Sequence, residues 1–225
     1  MDFGGIMKKS SRYDTSALLE DQYEPGSRGR VLKNLLGITS KREMSRMETR
    51  ELFNATEVLI KTIHRDQRFT SEAICHIHYM WMGSIYPWAG HYRQVNISKG
   101  GFPFASPAFI PKLMTEFEQT ILLKYTPCRF NLRDDILQAL AVVHVEFLLI
   151  HPFREGNGRL ARLLSILMAL QAGLPLLDFS GIKGKGKEKY FAAVRVGLDQ
   201  NYQFMKQIFT DVISRTLRNY KKDSG

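Results

Sequence analysis

Leu160, Leu163, Leu164, Leu167 and Leu170 recur at three- and four-residue spacing, the stripe of an amphipathic helix, and Gly173 and Pro175 are placed to end it. Upstream, the apolar run Phe147-Leu-Leu-Ile150 closes a helix expected from Asp134 to Ile150. Leu52, Leu59 and Ile63 share one side of a helix expected from Met44 to Ile63. Thr70-Ser-Glu72 is a start signal for another that reaches Met82. Tyr92, Val95 and Ile97 mix aromatic and β-branched residues before the turn signal Gly100-Gly101, so a short hairpin is expected among the helices. The pattern predicts an all-α fold with one small β element and no internal repeat. Residues 1–30 are polar and carry Gly4-Gly5, Ser10-Ser11 and Glu24-Pro-Gly-Ser27, which reads as a loose arm.

The chemistry concentrates where two of these helices meet, in His151-Pro-Phe-Arg-Glu-Gly-Asn-Gly-Arg-Leu-Ala-Arg162. Gly156, Asn157 and Gly158 fall at the first turn of the leucine-striped helix, where unpaired amides and the helix dipole attract anions. Asn157 offers a further side-chain donor. Arg159 and Arg162 lie three residues apart, off the leucine face, and arginine matches phosphate oxygens bidentately. The bland alternative for such a pair is two solvated surface arginines, but the adjacent Gly-Asn-Gly cradle favours a phosphate site. Glu155 is the one carboxylate of the stretch, read either as a charge-balancing partner of the arginines or as a hard oxygen ligand for Mg²⁺ beside phosphate. His151 is a packed or capping residue, or a base for a hydroxyl next to bound phosphate. His144 reads as structural, and His76 and His78 face opposite sides of a helix with no zinc set around them.

All eight defined positions of this stretch match the signature His-x-Phe-x-(Asp/Glu)-Gly-Asn-Gly-Arg-x-x-Arg, which it resembles, of the Fic (filamentation induced by cAMP) family. The resemblance implies a Fic-type helical bundle with a hairpin flap over the active site. It implies His151 as general base, Phe153 as core anchor, Glu155 as Mg²⁺ ligand, Gly156, Asn157 and Gly158 as anion nest, and Arg159 and Arg162 on the outer phosphates. The implied reaction is transfer of AMP from Mg-ATP to a Tyr, Ser or Thr hydroxyl of a target protein, catalysed mainly by positioning and charge neutralisation. Tyr86-Pro-Trp-Ala-Gly90 and the segment His91 to Ala105 resemble the family's (Phe/Tyr)-x-Trp-Ala-Gly-x-x-Arg stretch and the flap behind it. That implies target docking on Asn96, Ile97, Ser98, Lys99 and Gly100 by strand addition. Lys189-Tyr-Phe191 looks like the helix behind the nucleotide, with Tyr190 and Phe191 near the base. Some relatives carry an asparagine for adenine near position 198, where this chain has Leu198. Gly29 to Ile38 looks like the opening of stand-alone and effector-borne Fic domains, and the likeness extends from about residue 28 to 212. The chain therefore divides into a polar arm (1–28), a Fic domain (29–212) and a basic tail (213–225).

With 225 residues and 44% hydrophobic content, one full-sized core is expected. The net charge of +10 suits an enzyme whose field attracts nucleotides and acidic proteins. Nucleic acid is not the expected partner, because no DNA-reading motif accompanies the basic stretches Lys183-Gly-Lys-Gly-Lys187 and Arg215 to Lys222. The former reads as a flexible loop near the phosphates. Cys75 and Cys128 form no ligand pattern and suit a reducing cytoplasm, with delivery into another cell left open. No apolar stretch reaches membrane-spanning length.

Many Fic proteins carry an inhibitory (Ser/Thr)-x-x-x-Glu-(Gly/Asn) helix whose glutamate pairs with the last motif arginine, here Arg162. Thr39-Ser-Lys-Arg-Glu43 comes nearest, but Met44 replaces the required Gly or Asn. Inhibition by a separate antitoxin is therefore expected. The alternatives are a Doc-like phosphotransferase, transfer of another nucleotide, removal of AMP from a modified target, and a basic binding module without catalysis. Gly158 and Arg162 argue against the Doc type, which usually has lysine for that glycine and lacks the final arginine.

Overall fold

A computed structural model describes residues 15 and 17–223. Seven helices organise it: α1 (Lys41–Thr62), α2 (Ser71–Met82), α3 (Ile110–Glu116), α4 (Arg133–Ile150), α5 (Asn157–Gln171), α6 (Lys185–Val196) and α7 (Gln203–Asp223). Two short strands, β1 (Ser98–Lys99) and β2 (Phe102–Pro103), form the one sheet among the described residues. The expectation of an all-α bundle with a single hairpin holds.

Capping chemistry explains the helix starts. Ser40 Oγ accepts from Glu43 N–H, so α1 begins at Lys41, three residues before Met44, the start expected from periodicity. Thr70 Oγ1 accepts from Ala73 N–H and opens α2 where expected. Asp134 and Asp135 sit in the first turn of α4, where negative charge meets the positive end of the helix. Gly173 (φ +76°) stops α5: its N–H reaches Leu170 O and Leu174 N–H reaches Ala169 O, the paired bonds of a Schellman closure.

The core lies around α4, whose Leu140, Ala141, Val145 and Phe147 are fully buried. It packs on α5 and α7, and α1 pairs with α2 on the side that carries Glu48 and Trp81. Residues 107–125, which the periodicity left unmarked, form a 3₁₀ turn, α3, a π-helical stretch (Phe117–Leu122) and a last turn (Leu123–Tyr125).

Three segments differ from expectation. The described part of the arm is packed: Glu20 and Ser27 are buried, and Tyr23 bridges to Leu32. Residues 213–223 continue α7, so the division at 212 falls inside a helix. Lys185 and Lys187 belong to α6, leaving only Lys183 of that triplet outside it. Of the residues read as strand, Tyr92, Val95 and Ile97 lie outside the ladder. The sheet pairs only Ser98 with Pro103 and Lys99 with Phe102, and positive φ at Gly100 and Gly101 closes its two-residue turn.

Candidate functional site

Between α4 and α5 the chain turns through His151 to Gly156, and that turn is tightly specified. His151 ends α4 in a left-handed conformation (φ 52°, ψ 59°). Phe153 is wholly buried and stacks on the His78 ring, with centroids 4.0 Å apart. The amide of Asn157 closes the loop on itself: Nδ2 donates to Phe153 O at 2.7 Å and Oδ1 accepts from Phe153 N–H at 2.9 Å. This corrects the expectation of a phosphate-binding side chain. Asn157 is 2% exposed and its side chain is committed, so only its backbone N–H is left to face an anion.

Gly156 (φ +88°) starts α5 with its Cα hydrogen against Trp81. A Cβ there would stand 2.8 Å from the indole. Gly158 has open space instead, so an anion can approach the backbone. The N–H groups of Asn157 and Gly158 occupy the first turn, where a helix supplies no acceptor. Glu155 sits at this mouth with its side chain 47% exposed; Oε1 accepts from Gly156 N–H at 2.8 Å and lies 3.4 Å from Arg159 Nη2.

The two motif arginines diverge. Arg159 is engaged: Nη2 lies 2.8 Å from Glu48 Oε2, and the guanidinium stacks over Trp81 at 4.7 Å. Arg162 has no ion pair among the described residues and faces an open basin of about 640 Å³ with Lys99 and Lys187. The pair is therefore unequal: Arg159 is held by a carboxylate and Arg162 is not. The reason is Glu48, a buried α1 carboxylate that also accepts from Tyr86 OH at 2.7 Å. Glu43 is exposed on the first turn of α1 and does not line this basin; its backbone N–H is the donor that Ser40 caps.

His151 borders an adjoining cleft of about 560 Å³ that shares Lys99, Glu155, Gly156, Gly158, Tyr190 and Phe191 with the basin. Its Nδ1 lies 3.1 Å from Leu148 O, and a carbonyl only accepts, so the proton is on Nδ1 and Nε2 keeps its lone pair. Burial lowers its pKa to about 4; the Leu148 bond opposes this, and the Arg93 and Lys99 charges reinforce it. The imidazole is thus a neutral base at physiological pH. Phe104, from the flap, stacks on it with centroids 3.7 Å apart.

The flap residues Asn96, Ile97, Ser98, Lys99 and Gly100 all line the His151 cleft. Lys99 Nζ lies 4.9 Å from the Phe191 ring centre, and Arg195 Nη2 donates to Gly100 O at 3.2 Å, which ties the flap to α6. Tyr190 lines the cleft but is buried, and it gives its hydroxyl to the neutral, fully buried His144, 2.6 Å away. Leu198 lies in a separate groove beside Tyr202.

Sequence reasoning missed Glu48, His78 and Phe104. His78 accepts Gly90 N–H at 2.8 Å and lies 3.2 Å from Glu155 O, bracing the loop from below. Nothing local marks Glu48 and His78, since each works through a distant segment, and Phe104 stood in the flap stretch without a role of its own. Arg93 stood in the Trp-Ala-Gly-x-x-Arg stretch, which was its only signal.

A helical bundle with a hairpin lying over a glycine-rich helix N-terminus and a half-buried imidazole is the class of protein that this fold and geometry define. Comparison with known proteins agrees: residues 68–169 match the Fic/DOC family model. The chain is 31% identical over 143 residues to Probable protein adenylyltransferase Fic of Escherichia coli, covering 61% of this chain and 66% of that protein. It is 30% identical over 145 residues to the protein of the same name from Salmonella typhimurium, covering 63% of this chain and 68% of that one. The chain belongs to the Fic/DOC family. Its fold matches a crystal structure of the Bartonella tribocorum effector BepC with bound AMPPNP, at a TM-score of 0.69 and 23% identity over 87% of this chain and 97% of that one. The chain spans 66% of the Escherichia coli relative but only 30% of the one from Aedes aegypti.

Proposed function

We propose that this chain is a protein adenylyltransferase that moves AMP from ATP to a Tyr, Ser or Thr hydroxyl of a target protein. The carrying observation is the His151 tautomer: Nδ1 is bound to Leu148 O, which leaves Nε2 as the acceptor in a cleft shared with the Gly156–Gly158 helix start. In this reading Nε2 takes the hydroxyl proton as the oxygen attacks the α-phosphorus. The bond to the β-phosphate oxygen breaks, and pyrophosphate leaves. The free amides of Asn157 and Gly158 receive charge that develops on the α-phosphate, and Arg162 receives the outer phosphates. Arg159 stays against Glu48 and reaches them with its remaining donors.

Glu155 fits a Mg²⁺ site shared with substrate: Oε2 has no hydrogen bond among the described residues, and one carboxylate with phosphate oxygens suffices for this ion. When bound, Mg²⁺ neutralises charge on the phosphates. Tyr190 and Phe191 form the wall nearest the base, and the flap takes the target segment by main-chain pairing along Asn96 to Gly100. The working unit spans residues 29–212, with the remainder of α7 attached to it. The names of the relatives, and the AMPPNP bound in the BepC structure, support the same chemistry.

The open basin at Arg162 supports restraint by a separate inhibitory protein, because no carboxylate of the described residues pairs with that arginine. The site of action in this reading is the cytoplasm, of the producing cell or of one that receives the protein. No described helix is long and apolar enough to cross a membrane.

Parallel labelling with ATP carrying the radiolabel at the α- or the γ-phosphate tests the proposal, using Mg²⁺, cell extract, wild type and His151→Ala. Target protein labelled from the α-position and lost in the variant is the expected result. Label from the γ-position alone would make the chain a phosphotransferase of the Doc type.

A further inference from the structure

Arg93 is 1% exposed, yet no carboxylate hydrogen-bonds it among the described residues. Each guanidinium nitrogen donates instead to a main-chain carbonyl. Nε reaches His151 O at 2.8 Å, Nη1 reaches Val95 O at 2.8 Å, and Nη2 reaches Ala105 O at 2.7 Å. Its own N–H donates to Pro152 O at 2.9 Å. Val95 and Ala105 are the two roots of the flap. One side chain therefore ties both roots to the residue that carries the imidazole.

This is an expensive way to fill space. An apolar side chain would pack there without burying a cation, and buried cations are normally paired. Burial pulls the Arg93 pKa down to about 10; the Glu20 charge opposes that fall and the Arg154 charge adds to it. Three diverging carbonyls need a rigid planar fork, which only arginine offers. His151 also needs an external hold, because a histidine at φ 52° is strained unless its surroundings enforce it. Holding Ala105 has a second effect, since the preceding residue, Phe104, stacks on the imidazole.

We infer that Arg93 is a positioning residue that couples the flap to the base: the same fork that holds the docking strand in register sets the main chain and ring of His151. A target segment adding to the flap then lines up with Nε2 without a separate adjustment. The inference rests on the adenylyl-transfer reading for its consequence, and on the three hydrogen bonds for its geometry.

The test uses Arg93→Lys, which keeps the charge and loses the fork. Three quantities are compared with wild type: ATP affinity, kcat of transfer, and amide hydrogen exchange along 96–104 and along α5. ATP affinity is expected to stay within about twofold, because the phosphate cradle belongs to α5. kcat is expected to fall roughly 100-fold, as for a misplaced base. Flap exchange is expected to accelerate about tenfold or more while α5 is unchanged. A kcat near wild type, or flap exchange as slow as wild type, overturns the coupling. If Arg93→Lys does not fold, the wild-type exchange pattern decides: the Arg93 and Phe104 amides should exchange far more slowly than Gly100 and Gly101. Equal rates would mean that no clamp exists. Absence of any transfer by wild type counts against the adenylyl-transfer reading alone, since exchange reads the clamp without activity.

Discussion

Glu48 on α1 holds Arg159 on α5, with 2.8 Å between Oε2 and Nη2, and thereby separates two arginines that the motif presents as a pair. The Glu48 side chain is 10% exposed and also accepts the Tyr86 hydroxyl. Removing its cation leaves a buried charge short of a partner, whereas Arg162 has no such dependent. Arg159→Ala should therefore lower unfolding free energy by about 3 kcal/mol. Arg162→Ala should leave it within about 0.5 kcal/mol while weakening ATP binding. Urea unfolding and calorimetric titration with ATP check both. Equal stability of the two variants would show that the Glu48 pair carries no weight.

The low pKa of His151, about 4, predicts where activity fades. A base works when deprotonated, so lowering pH through the folded pKa removes it. The plot of kcat/KM against pH should be level from neutrality to about pH 5.5 and fall tenfold per unit only below about pH 4. A fall centred near 6.5 would mean that the imidazole is solvated in the working enzyme.

Stability should follow a related curve. His78 and His151 are lowered to about 4 and His144 to about 3, each chiefly by burial. Between these values and the unfolded value of 6.5, the unfolded chain binds more protons than the folded one. Stability is thus complete above about pH 6.5 and declines as pH falls toward 4, by up to about 1.4 kcal/mol per pH unit for each histidine. Urea unfolding at pH 7 and pH 5 measures this. An unchanged midpoint would contradict the burial of neutral imidazoles.

Gly156 and Gly158 should respond in opposite ways to alanine. At Gly156 the positive φ and the Trp81 ring reject a Cβ, so Gly156→Ala should destabilise by about 1–3 kcal/mol. At Gly158 the backbone is helical and the space open, so Gly158→Ala should fold with stability equal to or up to about 1 kcal/mol above wild type. It should nevertheless bind ATP more weakly, because the methyl enters the approach to the amides. Intact ATP affinity in Gly158→Ala would place the phosphates elsewhere.

The sequence alone determined the helices that rest on local rules. The leucine stripe with its Gly173 stop, the Thr70 cap and the Gly100-Gly101 turn all act within a few residues, and the chain folds as they dictate. It also carried the inventory of the site, because the segment from His151 to Arg162 contains the imidazole, carboxylate, glycines and guanidinium groups in one stretch. Tertiary structure alone decided how that inventory is used. Asn157 turns inward to brace its own loop, Arg159 is claimed by Glu48, Arg93 serves three carbonyls, and residues 213–223 continue a helix instead of trailing as a tail. A side chain's potential partners can be read from its chemistry. Which of them it meets depends on burial, since a carboxylate or guanidinium withdrawn from water must find its complement among segments far away in the chain.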